Sequence, residues 1–195
     1  MLVLASRSPQ RREILTQLGI EFTVVPANVE ELGEGEPGPV VVENACRKAR
    51  AVGARRPGGA GHGAAVLGVD TAVVLDGTIY GKPAGEAEAR ASLERLSGRE
   101  HAVWSGIALL GTDGGERTAA AVTTVRFRTL ERAWIDWYLS TGEWRERAGG
   151  YAIQGLGSAL VERVEGDFWN VVGLPVYELV RLAPELFLHA GSNRG

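Results

Sequence analysis

The sequence predicts an α/β fold built on a mixed β-sheet flanked by helices. Short apolar runs typical of buried strands alternate with segments whose apolar residues recur at helical spacing. The chain of 195 residues can bury a substantial core, and neither an internal repeat nor a low-complexity linker divides it. We therefore expect one folding unit over residues 1–195, with a cleft in it.

The elements of the first half follow from local signals. Residues 2–5 predict a buried strand, and Ser8 and Pro9 suit the capped start of a helix that stops at Gly19. The pair Asp76–Gly77 predicts a hairpin turn. The other elements predicted here are a strand at 20–26, a helix at about 40–55, a surface connection at 57–63, one long strand or a strand pair at 65–75, and a strand at 78–80.

The second half continues the alternation of strands and helices. Residues 86–96 have helical periodicity that ends before Gly98, and residues 113–115 predict a turn between two long strands. The remaining predicted elements are strands at 101–110, 117–128 and 158–164, helices at 130–139 and 176–188, and a glycine-rich loop at 149–157. That loop suits a binding site, because glycine lets the backbone approach a ligand closely.

The composition argues against several classes of protein. A net charge of −3 is unusual for a broad nucleic-acid surface, and no apolar run approaches the roughly 20 residues of a membrane span. Residues 1–5 are too short for a signal peptide, and Cys46, the single cysteine, cannot form an internal disulfide. We expect a cytoplasmic protein with no membrane and no nucleic-acid partner.

Two tempting signatures fail. The three histidines, His62, His101 and His189, lack metal-ligand spacing, so we do not expect a zinc site. Residues 59–64 fit a loose dinucleotide-binding pattern, but they precede a strand where they should follow one. Neither pattern predicts a site.

Three segments could carry chemistry. Residues 6–12 (SRSPQRR) lie between a strand and a helix, where free N–H groups suit phosphate, although an ordinary Ser-Pro cap is the alternative. Asp70 lies between apolar stretches, where burial requires a partner such as a metal, a water, a cation or the backbone. Gln154 could read a base edge, or its loop could be a tight turn. For residues 167–175, core packing is the favoured interpretation.

Lysine is rare in this chain. Of 21 basic residues, only Lys48 and Lys82 are lysines. Coding bias toward arginine explains most of this pattern, but lysine could also be kept where a compact point charge is needed. The hairpin at 76–77 would fold Lys82 back toward Asp70, which favours a shared site.

These segments, in this order, resemble the Maf (septum-formation-inhibitor) family of nucleotide pyrophosphatases. The resemblance covers about residues 2–182, and the ordered set is far more specific than any one motif. The matching segments are LASRSPQR (4–11), EE (30–31), KA (48–49), GVDT (68–71), GKP (81–83), LSGR (96–99), IQGLG (153–157) and NVVGLP (170–175).

The resemblance implies an elongated fold similar to inosine-triphosphate pyrophosphatases, with two lobes around a cleft, and often a homodimer. It also implies a divalent cation, Mg²⁺ or Mn²⁺, and attack of water on the α-phosphorus of a nucleoside triphosphate. Asp70 would activate the water, and Glu31 and Asp70 would serve the metal. The residues implied to hold the triphosphate are Ser6, Ser8, Arg11, Lys48 and Lys82.

Three positions bear on which triphosphate is cut. Thr71 and Gln154 resemble the residues of the family members that prefer dTTP and UTP. The family members that prefer 7-methyl-GTP carry Gln in place of Thr71 and Glu in place of Gln154. Gln10 matches neither type, since the dTTP/UTP type commonly carries arginine at this position and the 7-methyl-GTP type carries tryptophan. Arg47 also differs from the family pattern, which commonly has glutamate before the lysine. On this resemblance we expect dTTP and UTP as substrates.

Other functions stay open at this point. The chain could hydrolyse modified nucleotides such as methylated pyrimidines, CTP or 7-methyl-GTP. It could also be a nucleotide-binding regulator of cell division without hydrolysis, or an interaction protein that uses Trp134, Trp137 and Trp144. The charged residues of the implied site favour an enzyme.

Overall fold

A mixed sheet forms the centre of the molecule in a computed structural model that describes residues 1–55 and 63–188. Within those residues the sheet has seven strands in the order β2-β1-β3-β5-β6-β7, with β4 paired to β3. The strands are β1 Leu2–Leu4, β2 Phe22–Val24, β3 Ala65–Leu75, β4 Thr78–Tyr80, β5 Glu100–Leu110, β6 Glu116–Phe127 and β7 Val161–Glu165. β1 runs parallel to β2 and β3, and the other pairs are antiparallel.

Helices flank this sheet, so the predicted α/β class with a mixed sheet is confirmed. They are α1 Pro9–Gln17, α2 Pro37–Ala54, α3 Glu86–Leu96, α4 Arg132–Thr141, α5 Phe168–Val172, α6 Val176–Leu182 and α7 Glu185–Leu188, with 3₁₀ helices at Ala148–Gly150 and Leu156–Leu160. Across residues 1–55 and 63–188, none of the helices combines the length and apolar character that a membrane crossing requires.

One edge of strand β3 pairs with two different strands, β1 in parallel and β4 in antiparallel orientation, and these two strands leave a gap between them. Its first residues, 65–67, pair with β1, and its last residues, 73–75, pair with β4 on the same side. Its other edge pairs with β5 from Val66 to Val74. Residues 68–72 therefore face a space between the end of β1 and the end of β4, and Asp70 lies at the middle of that space.

Helix α2 packs unusually close to the sheet. A Cβ added at Gly68 would lie 2.1 Å from the carbonyl oxygen of Ala45, and one added at Gly106 would lie 2.1 Å from that of Val41. Only glycine fits such an approach of backbone to backbone. The two glycines thus seat α2 over the centre of β3 and β5.

Apolar clusters cover both faces of the sheet and its far end. One packs α1 and α6 over β1, β3 and β5 around Leu4, Ile14 and Leu179. Another packs α3 and α4 around residues that include Phe127 and Tyr138. The cleft expected from the sequence is lined in part by residues of this second cluster, including Val73 and Tyr151. The division into two lobes stays a prediction.

Several predicted boundaries differ from the structure. The helix predicted at 176–188 is broken at Ala183 and Pro184, because proline lacks an N–H and its ring disfavours a helical conformation before it. The strand predicted at 158–164 begins only at Val161, after a 3₁₀ helix, and α2 begins at Pro37 rather than near residue 40.

Other boundary predictions hold. Residues 65–75 form one long strand, and Asp76 and Gly77 form the predicted turn with positive φ values of 51° and 76°. Most of the predicted connection at 57–63, most of the dinucleotide-like pattern at 59–64, and both His62 and His189 lie outside the described residues.

Candidate active site

A cavity of about 1030 Å³ opens at the gap beside β3. All of the residues that the sequence and the family resemblance single out contribute to its lining. They are Ser6, Ser8, Gln10, Arg11, Glu31, Lys48, Asp70, Thr71, Lys82 and Gln154. They come from β3 and its hairpin, the start of α1, the middle of α2, the segment before α2 and the loop before the 3₁₀ helix Leu156–Leu160.

Asp70 lies in a buried network at the floor of this cavity. Its Oδ1 accepts a hydrogen bond from the ammonium of Lys48 at 2.7 Å, and its Oδ2 accepts one from the Asn44 amide at 2.9 Å. The same ammonium is 2.7 Å from a carboxylate oxygen of Glu31, which is half exposed. A single lysine therefore bridges one buried carboxylate and one that reaches solvent.

The start of α1 forms a second wall. The Ser8 side chain caps the helix by accepting from the N–H of Arg11 at 3.4 Å, as the sequence predicts. The hydroxyl oxygen of Ser6 accepts from the Ser8 N–H at 3.2 Å and from the Arg11 guanidinium at 3.0 Å. The start of α1 thus carries two hydroxyls and the positive end of the helix dipole beside the cavity, an arrangement that suits an anion.

Arg11 is buried and holds three segments together. Besides Ser6, its guanidinium donates to the carbonyl of Gly173 at 2.8 Å and to the hydroxyl of Thr71 at 3.1 Å. Burial lowers the pKa of Arg11, and the charges of Asp70 and Glu31 oppose that shift. Arginine stays charged under such conditions, so Arg11 contributes a fixed positive charge and aligns the Thr71 side chain.

Lys82 lines the cavity at a different place from Asp70. Its ammonium is 2.9 Å from a carboxylate oxygen of Glu146, and both side chains are well exposed. The hydrogen bond from Lys82 lowers the pKa of the Glu146 carboxyl. The hairpin at 76–77 therefore brings Lys82 into the cavity of Asp70, where its partner in this structure is Glu146.

The three positions linked to substrate choice lie around the same cavity. The Thr71 hydroxyl is 2.9 Å from that of Ser105, and the side-chain oxygen of Gln10 accepts from the Ser8 hydroxyl at 3.0 Å. Gln154 is exposed on the loop between Tyr151 and the following 3₁₀ helix. These positions surround a space large enough for a nucleotide.

Comparison with known proteins identifies the family of the chain. Residues 1–186 match the family model described as Maf-like protein. The chain belongs to the Maf family. It is 48% identical over 183 residues to a dTTP/UTP pyrophosphatase of Symbiobacterium thermophilum, covering 93% of this chain and 91% of that protein. It is 47% identical to a dTTP/UTP pyrophosphatase of Myxococcus xanthus, covering 93% and 90% respectively.

A comparison of structures also returns proteins with a partial match to this Maf protein. A HAM1 protein from Coxiella burnetii aligns with a TM-score of 0.46 at 22% identity, over 67% of this chain and 74% of that chain. A nucleoside-triphosphatase, also described as a dITP/XTP pyrophosphatase, from Mycobacterium abscessus aligns with a TM-score of 0.42 at 20% identity, over 66% and 74%.

The carboxylates in the cavity of this Maf protein could hold a metal ion only if the phosphates of a bound substrate supply further oxygen atoms. Among residues 1–55 and 63–188, no three side chains of His, Cys, Asp or Glu come together as a ligand set. Glu31 and Asp70 meet at Lys48, however, and Mg²⁺ commonly binds one or two carboxylates together with phosphate oxygens and water. The donors fit a cation that the substrate phosphates complete.

Some residues of the site were not found from the sequence. Asn44 binds Asp70 and also both backbone groups of Leu32, and its position four residues before Lys48 on α2 is a signal that could have indicated it. Ser105 lies next to Thr71 only because β3 and β5 pair in this register. No local pattern marks such a residue.

Several residues outside the candidate site were expected to serve the fold rather than the chemistry. Asn170 is fully buried and donates to the Val103 carbonyl and the Thr123 hydroxyl, and Leu174 is fully buried as well, so both residues pack in the core as predicted. Phe168 is exposed and residues 171–173 line the cavity, so core packing does not describe the whole segment 167–175. Cys46 lies buried on α2, and burial raises the pKa of its thiol to about 11. Of the tryptophans, Trp144 is buried, whereas Trp134 and Trp137 are partly exposed on α4.

Proposed function

We propose that this chain is a nucleoside-triphosphate pyrophosphatase that hydrolyses dTTP and UTP to the monophosphate and pyrophosphate. The observation that carries the proposal is the buried Asp70, hydrogen-bonded to Lys48, in a large cavity beside the start of α1. Membership of the Maf family and relatives of 47–48% identity named dTTP/UTP pyrophosphatase support the substrate class.

In the proposed reaction, Asp70 accepts a proton from water as that water attacks the α-phosphorus. The bond from the α-phosphorus to its bridging oxygen breaks, pyrophosphate leaves with the bond's electron pair, and the monophosphate carries the new oxygen. Lys48 lies 2.7 Å from Asp70 and balances charge that builds up on phosphate oxygens in the transition state. Ser6, Ser8, Arg11 and Lys82 hold the triphosphate together with Lys48.

A divalent cation, Mg²⁺ or Mn²⁺, belongs to the proposal. When bound, it would neutralise phosphate charge and orient the reacting groups. Glu31 and Asp70 are the residues that would hold it, with Asn44 keeping the Asp70 carboxylate in place through its hydrogen bond of 2.9 Å.

Recognition of the base is assigned to Gln154, Thr71 and Gln10, which all line the cavity. Gln154 has an amide that can both donate and accept, as the edge of uracil or thymine requires. Thr71 is held by Arg11, and Gln10 is engaged with Ser8, so both lie near the start of α1. Because Gln10 matches neither known preference, modified pyrimidines are the second candidate substrates.

A panel of triphosphates with Mg²⁺, assayed for pyrophosphate release, tests this function. We expect the highest kcat/KM for dTTP and UTP. Faster cleavage of 7-methyl-GTP would show that the substrate class is wrong, and faster cleavage of CTP or methylated pyrimidine nucleotides would favour the second candidate. Tight nucleotide binding without turnover under any divalent cation would favour a regulator instead.

The proposal also includes a cytoplasmic homodimer without a nucleic-acid partner. The net charge of −3 supports the absence of a nucleic-acid partner, and the single, buried cysteine supports the cytoplasm. The homodimer rests on the resemblance to the family. Light scattering coupled to size-exclusion chromatography tests the dimer, and a mass of one chain at micromolar concentration would reject it.

A further inference from the structure

Glu143 holds the loop that carries Gln154. It follows the C-cap of α4 and lines the cavity. One of its carboxylate oxygens accepts the N–H of Leu156 at 3.1 Å, and the other accepts the N–H of Gly157 at 3.2 Å. These N–H groups open the 3₁₀ helix Leu156–Leu160, so the carboxylate satisfies donors that the short helix leaves free.

The same carboxylate fills the space beside Gly155. A Cβ built at Gly155 would lie 2.5 Å and 2.7 Å from the two carboxylate oxygens of Glu143. Any larger residue at position 155 would displace the carboxylate, because the end of a glutamate side chain moves more easily than backbone. Gly155 directly follows Gln154, so the contact lies next to the residue that faces the base.

A residue of α4 fixes the other side of the loop. Tyr138 is fully buried, and its hydroxyl oxygen accepts the N–H of Ala152 at 2.9 Å. Gln154 therefore lies between two anchored points, Ala152 before it and Leu156 after it. One anchor lies in α4 and the other lies two residues beyond its end, so a regular element supports the exposed side chain.

We propose that Glu143 is a positioning residue for base recognition, which acts by fixing the backbone that presents Gln154 to the pyrimidine. This rests on the proposed function, in which Gln154 reads the base. Glu143 does not touch the reacting phosphate; it sets the direction of the Gln154 amide. A purely structural cap would contribute to stability alone, whereas a positioning residue also sets the preference among bases.

The test compares binding of non-hydrolysable UTP and CTP analogues to the wild type, Glu143→Ala, Gly155→Ala and the double variant. We expect Glu143→Ala to reduce the preference for the UTP analogue by about tenfold, while the affinity for tripolyphosphate, which has no base, does not fall. Gly155→Ala should have a similar effect because its methyl group displaces the carboxylate. The double variant should be no worse than either single variant, since the methyl group then has room.

Glu88→Ala is the matched control, since Glu88 accepts the N–H of Ala84 at 2.8 Å near the start of α3 and lies outside the cavity. It should leave the base preference unchanged. Hydrogen exchange of the 152–157 segment should be faster in Glu143→Ala than in the control. An unchanged base preference in Glu143→Ala, or additive effects in the double variant, would overturn the inference. Wild-type protein that binds UTP analogue without hydrolysing UTP would overturn the proposed function alone.

Discussion

Asp70→Asn removes the proposed proton acceptor while keeping the size of the side chain. Asp70 accepts from Lys48 at 2.7 Å and from Asn44 at 2.9 Å, so both oxygens are used. An amide at this position must point its own NH₂ group at one of those two donors. One hydrogen bond is therefore lost, and the bond to the ammonium loses its negative partner.

The two consequences have different sizes. In the variant, Lys48 still contacts Glu31 at 2.7 Å and the Val69 carbonyl at 3.3 Å, so its charge is not left alone. We therefore expect the free energy of unfolding to fall by about 2 kcal/mol, less than the 3–5 kcal/mol typical of a buried charge that loses its partner. For a chain of this size that lowers Tm by roughly 4–8 °C. Loss of a general base lowers kcat by about 10²–10⁴-fold. Turnover should thus fall far more than folding.

Pyrophosphate release at saturating UTP and a thermal melt give both quantities on one preparation. Asp76→Asn is the matched control, because Asp76 is exposed in the hairpin turn, pairs with Arg99, and lies outside the cavity. Its kcat should equal that of the wild type. A folded Asp70→Asn variant whose kcat stays within about threefold of the wild type would refute the role of Asp70 as proton acceptor.

Two further predictions concern the fold. Gly106→Ala should destabilise the protein by about 3 kcal/mol in urea unfolding, because its Cβ would lie 2.1 Å from the Val41 carbonyl. Gly85→Ala, where a Cβ meets nothing within 4 Å, should cost no more than about 1 kcal/mol, the usual loss at a helix N-cap. Burial lowers the pKa of His101 to about 4, while an unfolded chain titrates near 6.5, so the folded state binds fewer protons between these values. Stability should therefore fall as pH drops from about 6.5 to about 4, by about 3 kcal/mol in total, and His101→Gln should lack this component of the pH dependence of urea unfolding.

Local chemistry made most of the fold predictable. Asp76–Gly77 predicts a hairpin because both residues adopt positive φ at low cost, and both do so here. Ser8 and Pro9 predict the start of α1 for a similarly local reason. The break before α7 was missed because apolar periodicity across 176–188 was given more weight than Pro184 within it.

The site was predictable as a set of residues and not as a set of contacts. Family motifs identify Asp70, Lys48 and Glu31 one by one, but their meeting depends on α2 lying over β3 at the distance that Gly68 permits. Similarly, nothing local indicates that Arg11 is buried and engaged with three protein acceptors. Contacts between distant segments follow from packing, which single-sequence patterns do not contain.

The charges around the cavity explain why a triphosphate would need a metal ion with it. Among the described residues that line the cavity, five basic side chains face five acidic ones: Arg7, Arg11, Lys48, Lys82 and Arg147 against Glu13, Glu31, Asp70, Glu143 and Glu146. Both lysines are already paired with carboxylates. A polyphosphate that took these ammonium groups would leave the carboxylates unpaired beside its own negative charge. A divalent cation removes that conflict, because it binds carboxylate and phosphate oxygens together. In the proposed mechanism, binding of substrate and of cation are therefore coupled, and each must raise the affinity for the other.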